Sequence, residues 1–374
     1  MTKHRKRTGF TLIELLVVIA IIALLISILL PSLGTARKQG QMMISLSNLR
    51  QHGVAMEGYG SENDSRAYAF SWKPGKLPQT TNTDLALECK NLNPNADTRA
   101  AVLQQLDIVS RRYKHQKLTP QVSTAPVNHI PHVLYTHLVL NDYIGEQLPS
   151  EMVISPGDKA RNYWQKNMDE YLDDPQASPF PPPSNATNFR DLWRWAFSSS
   201  YTTISAHYSP DYGSSAANSP WPLTVERGNN QNTYRVPNRP NVMGRRRLDE
   251  VAQPGNKVIL YEPYQRFSGT QDQWFGFEDS KVPMLFYDGH AATNKTGDSN
   301  FGYSPNNPAN GANNPDEPSR TYFYSPLKKW DPPGAVRTRL PVYYDQTRLG
   351  IQGVDYGGDP IAKPGLMARV SAGG

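Results

Sequence analysis

Glu14 is the one ionisable residue between Phe10 and Leu30, in a stretch otherwise built of Leu, Ile, Val, Ala, Phe, Thr and Ser. The chemistry such a carboxylate offers is ion pairing. No Lys or Arg lies between Phe10 and Arg37, so the counter-charge must come from elsewhere, and a neighbouring subunit is the natural source. Of the sixteen residues from Leu15 to Leu30, thirteen are Leu, Ile or Val, which together favour bilayer insertion by roughly 5 kcal/mol. A charged Glu at the centre of such a run opposes insertion by about 2.5 to 3.5 kcal/mol, and by less near an end. The run therefore inserts with Glu14 at its edge.

The remaining candidates for chemistry are weaker. His129, His132 and His137 lie close together, and histidines at short spacing ligate zinc, but Pro131 breaks the helix that would align them. The late carboxylates Asp288, Asp298, Asp316 and Asp355 form no alternating ligand series of the kind calcium loops use. No residue is assigned to a metal and no cofactor is expected. No nucleophile elbow, phosphate-binding loop, dinucleotide fingerprint or zinc-protease signature is present, so the expectation is a protein that is not an enzyme. Trp193-Arg194-Trp195 with Phe189, Phe197 and Tyr201 is the densest aromatic cluster, which reads as core packing or, if exposed, as a contact face.

The formal charge is +6, of which Lys3, Arg5, Lys6 and Arg7 supply four, leaving +2 for residues 10–374. That balance gives no support to nucleic-acid binding, and Arg245-Arg246-Arg247 beside Asp249 and Glu250 reads as a solvated edge. Cys89 is the single cysteine, which excludes an intramolecular disulfide.

The elements that must position these residues begin with one helix from Phe10 to about Met56. Pro31 and Gly34 are expected to bend it near the membrane exit, and Gly58 to Gly60 to end it. Met42, Met43, Leu46, Leu49, Gly53 and Met56 recur at three- and four-residue spacing, an apolar stripe that something must cover, a globular sheet being the economical answer. Residues 61–95 read as loop with short strands, Asp97 to Lys114 as a second helix and Val133 to Tyr143 as a short one. Met152 to Ser155, Tyr201 to Tyr208, Lys257 to Tyr261 and Ala335 to Tyr344 have strand character, and Asp173 to Asn188 is a Pro-rich loop. Val282 to Thr293 reads as a hairpin with a type I′ turn at Asp288-Gly289. The 32 Pro and 27 Gly favour short strands and long loops.

Lys3-His4-Arg5-Lys6-Arg7-Thr8-Gly9-Phe10-Thr11-Leu12-Ile13-Glu14 resembles the signal of type IV prepilins and type II secretion pseudopilins. The resemblance implies that prepilin peptidase cuts after Gly9 and N-methylates Phe10. It makes Glu14 the fifth mature residue, which in that family pairs with the N-terminal amine of an adjacent subunit, and Pro31 the helix-kinking proline. It further implies a cleaved leader (1–9), a pilin-like helix (10–58, with 10–30 transmembrane), an α+β head with an antiparallel sheet (59–300) and a Pro/Asn/Gly-rich C-terminal region (301–374).

Expected partners are other pilin or pseudopilin subunits, including copies of this chain, and the cytoplasmic membrane, with the N-terminus inside and the head outside. The large body points to a minor subunit of a type II secretion pseudopilus or type IV filament, and the lack of a disulfide to the pseudopilin side. The competing expectation is a surface binding module that uses the signal only for tethering, with the aromatic cluster as its contact face. Asp288-Gly289-His290 resembles part of a processing-associated motif of pseudopilin-like proteins. In that motif a histidine stands nine residues ahead of Asp-Gly, and here the position is Glu278.

Overall fold

The computed structural model describes residues 11–115, 118, 134–145, 148–182, 192–208, 226–227, 234–235, 244, 246–269, 272–302, 321–324, 338–347 and 350–357. The first element is the helix α1 (Leu12–Glu62), which runs unbroken through Pro31. The proline removes one N–H from the ladder. The helix also continues past Gly58 and Gly60, because glycine tolerates helical geometry. The stop comes from Asp64 and Ser65, both at positive φ (53° and 58°), with the N–H groups of Asn63 and Ser65 returning to the Gly60 carbonyl at 3.2 and 2.8 Å.

Residues 11–40 are exposed on every side of α1, and burial begins at Gln41. From there Leu46, Leu49, Ala55 and Met56 enter a core shared with an antiparallel sheet. Its strands lie in the order Thr202–Thr203, Val258–Tyr261, Lys281–Phe286, Ala291–Lys295. Register is set by pairs such as Thr202 with Tyr261, Leu260 with Leu285, and Met284 with Ala292. Val258 to Tyr261 is buried throughout, as expected of a central strand covered on both faces. The architecture is α+β, a long N-terminal helix packed on an antiparallel sheet with long loops.

A second core holds α2 (Thr83–Lys90), α3 (Asp97–Arg112) and the Trp193–Phe197 turn. Helix α2 falls in the span read as loop and strands. Its short Leu85, Ala86, Cys89 face is too brief for periodicity to reveal, although the Asn82 side chain caps it by accepting from Leu85 N at 3.4 Å. The expected strand at Met152–Ser155 is a 3-10 turn, Glu151–Val153. The expected strand at Tyr201–Tyr208 shrinks to Thr202–Thr203 followed by a 3-10 turn at Ser205–His207. In both cases an apolar run is satisfied by burial, and only Thr202 and Thr203 pair in the sheet. The short helix near 133–143 is a 3-10 turn (Thr136–Leu140) leading into α4 (Asn141–Ile144).

Late residues close the first core. Val342, Tyr344 and Ile351 are buried in it, and the Lys257 ammonium meets the Asp355 carboxylate at 2.8 Å with both side chains out of solvent. Gly302 lies against this segment, its N–H donating to the Val342 carbonyl at 2.7 Å. A Cβ there would sit 2.5 Å from the Gln346 and Tyr343 carbonyl oxygens. Gly302→Ala is accordingly expected to destabilise the head by about 1 to 3 kcal/mol, read as a lowered denaturation midpoint.

Candidate assembly site

Thr11 and Glu14 close a capping box at the start of α1. Glu14 Oε2 accepts from Thr11 N and Thr11 Oγ1, both at 2.8 Å, and Glu14 N donates to Thr11 Oγ1 at 3.3 Å. The Thr-x-x-Glu spacing carries this signal in the sequence. It is a partner for Glu14 that a search for positive charge overlooks. Both bonds go to Oε2, and no cation meets the carboxylate among the described residues. Gly9 and Phe10 lie outside the described residues. Pro31 sits within α1, where its carbonyl accepts from Thr35 Oγ1 at 3.2 Å.

From Leu12 to Leu33 the apolar side chains are exposed all round. This helix is long and apolar enough to cross a membrane, and a helix apolar all round is one that must be covered by lipid or by other helices.

The joint between α1 and the head is polar and buried. Ser45 Oγ donates to Glu262 Oε2 at 3.1 Å and lies 3.0 Å from Tyr201 Oη. Glu262 Oε1 accepts from Arg266 Nε at 2.9 Å, and Arg266 Nη2 donates to Asp158 Oδ2 at 3.2 Å. Asp158 Oδ2 also accepts from Arg161 Nη1 at 2.6 Å and Ser200 Oγ at 2.9 Å. Burial opposes ionisation of Asp158, but Arg266 and Arg161 outweigh it and hold the carboxyl well below its usual range. Burial pushes Glu262 up to about 7, against the pull of Arg266. One guanidinium serves both acids, and Glu262 is the less compensated of the two.

These residues are scattered over more than 200 positions, which is why sequence spacing missed them. Asp158→Ala would leave Arg161 and Arg266 buried without their shared anion and remove the cap of α5 (Lys159–Lys166). The expected loss is about 3 to 5 kcal/mol of head stability, measured by denaturant unfolding.

Asp288, Gly289 and His290 form the tip of the hairpin. Gly289 has φ +83°, whereas Asp288 is not in the positive-φ region, so the turn is not type I′. Phe286 N donates to the His290 carbonyl at 2.9 Å and Gly289 N to the Phe286 carbonyl at 3.0 Å. That is a three-residue loop with glycine at the left-handed position, and it needs only one positive φ. His290 Nδ1 lies 2.5 Å from Asp288 Oδ1, and its ring stacks on Phe286 at 4.2 Å. The tip docks on α1, with Gly289 Cα 3.4 Å from where a Cβ on Gly53 would lie. Tyr287 Oη fastens it further, 2.9 Å from His207 Nδ1. Glu278 is exposed at the far end of the Lys281–Phe286 strand, roughly 20 Å away by strand rise, so it does not join the tip.

The other candidates resolve into packing. His137 is buried in a 3-10 turn, while His129 and His132 lie outside the described residues, as do Asp316 and Arg245. Asp355 is engaged by Lys257. Arg246 is buried and donates to the Ala206 carbonyl at 3.1 Å, a correction to its reading as solvated edge. Trp193, Trp195, Phe197 and Tyr201 are all buried, so this cluster is no exposed contact face. Phe189 lies outside the described residues.

Comparison with known proteins agrees with the start of the chain. A family described as the prokaryotic N-terminal methylation motif matches residues 4–30. The type IV wide pilus major component PilA4 of Thermus thermophilus is 44% identical over 61 residues, which cover 16% of this chain and 47% of that relative. The match thus spans about half the length of the relative. No solved structure matches the chain. The chain carries a prepilin-type N-terminal signal, and its long helix under an antiparallel sheet is pilin-like.

Proposed function

We propose that this chain is a subunit of a type IV pilus-like or type II secretion filament, held in the cytoplasmic membrane by α1 before assembly, with its head outside. The observation that carries the reading is the fully exposed apolar surface of α1 from Leu12 to Leu33, most of which falls within the match to the methylation motif at residues 4–30. Lipid covers that surface in the single subunit and neighbouring helices cover it in a filament. Prepilin peptidase cuts after Gly9 and methylates Phe10, creating the amine that Glu14 of another subunit meets. The bulk of the head favours a minor position, because a large body is hard to repeat along a tight helix.

The test is photocrosslinking in the native cell from benzoylphenylalanine placed at Val17. A filament subunit gives crosslinked species through the helix, either with itself or with other prepilin-type proteins. A solitary anchor gives none, and that result would reject the reading. Gly9→Val is expected to abolish the mass loss corresponding to residues 1–9.

A further inference from the structure

We propose that the underside of the head rests on the lipid headgroup layer of the outer membrane face, with Arg37 and Lys38 as its contacts to anionic phospholipid. The proposal rests on the membrane-spanning reading of α1. The exposed apolar run from Leu12 to Leu33 covers 22 residues, about 33 Å of helix, which matches a hydrocarbon core of about 30 Å. Lys38 stands five residues further, about 8 Å beyond that edge. Headgroups occupy about 5 to 8 Å on each face, so Arg37 and Lys38 lie at the outer margin of that layer.

The head begins at the same level. Lys38 Nζ donates to the Gly269 carbonyl at 3.2 Å, and α1 is exposed on all sides up to Gly40. Gly269 belongs to the loop between the paired strands Tyr264–Gln265 and Gln273–Trp274. Among the hydrogen bonds between α1 and the described head, the one from Lys38 to Gly269 is nearest the apolar run. An ammonium has three donors, and Gly269 takes one, leaving two to face outward. Arg37 has no ion pair among the described residues. The loop's own acid, Asp272, lies 4.0 Å from Arg266 with its side chain about half exposed, so it sets one negative charge against the two cations at this surface. Each cation near an anionic bilayer is worth roughly a fivefold change in partition.

The experiment uses the full chain in vesicles of phosphatidylcholine, with or without phosphatidylglycerol. Nitroxide labels are placed singly at Ile19→Cys, Asp272→Cys and Leu77→Cys in a Cys89→Ser background. Accessibility to oxygen and to a water-soluble relaxation agent reports depth. The Ile19 label should lie in hydrocarbon, the Leu77 label in water and the Asp272 label at headgroup depth, more so with phosphatidylglycerol. Arg37→Gln with Lys38→Gln should remove that dependence on phosphatidylglycerol, and Arg37→Lys with Lys38→Arg should keep it. An Asp272 label as water-accessible as Leu77, with Ile19 still in hydrocarbon, overturns the inference. Ile19 in water would instead reject the membrane-spanning reading on which it stands.

Discussion

Glu14→Ala is expected to leave membrane insertion and cleavage intact and to abolish incorporation into a filament. An unpaired acid costs about 2.5 to 3.5 kcal/mol in the middle of a bilayer, so removing it does not hinder insertion. In the single chain the carboxylate closes the capping box of its own helix through Thr11, a local role that needs no neighbour. In the proposed filament, the loss of assembly follows from the missing counter-charge for a neighbour's amine, the pair that would fix axial register. Glu14→Gln separates the two roles, since it keeps acceptors for the cap but carries no charge. Shear fractions and helix-to-helix crosslinks measure the outcome. Normal incorporation of both variants would show that register is set by apolar packing alone.

Acid is expected to unfold the head. Burial lowers His52 to about 4, His137 to about 3 and His207 to about 3, from an ordinary 6.5. For His207 the geometry agrees. One ring nitrogen faces the Tyr68 carbonyl at 3.0 Å and so carries the proton, and the other faces Tyr287 Oη at 2.9 Å. A depressed histidine contributes stability that is complete above 6.5 and is lost as pH falls towards the folded value. Each gives up on the order of 3 kcal/mol by pH 4.

Glu262 works in the opposite direction. Its raised value favours the folded state below 4.5 and fades as pH rises to about 7, offsetting on the order of 3 kcal/mol. The net loss between pH 6.5 and 4 is then comparable with the 5 to 15 kcal/mol that holds an ordinary domain together. Thermal melting across that window checks it. His207→Gln should flatten the slope by about half, and Glu262→Gln should steepen it. A melting point indifferent to pH between 6.5 and 4 would refute the buried neutral histidines.

The helix and its signal were legible because they are local. Leu15 to Leu30 needs no tertiary partner to declare itself, and α3 and the hairpin strands follow from periodicity over runs long enough to count. The Asp288-Gly289 turn was legible as a turn but not as to its type, since Asp-Gly fits both the two-residue and the three-residue loop and the register of Leu285 with Ala291 decides between them. The joint of Ser45, Glu262, Arg266 and Asp158 was invisible, because hydroxyls and charges at those positions look like surface residues until the fold brings them together. Arg246 was misjudged for the same reason.

The Lys257 to Asp355 clasp spans 98 positions, and the core it seals includes Val342 and Tyr344. A chain emerging from its N-terminus cannot complete that core until residue 355 has followed. If the head is exported as proposed, translocation therefore precedes its maturation, with α1 in the bilayer before the clasp can form.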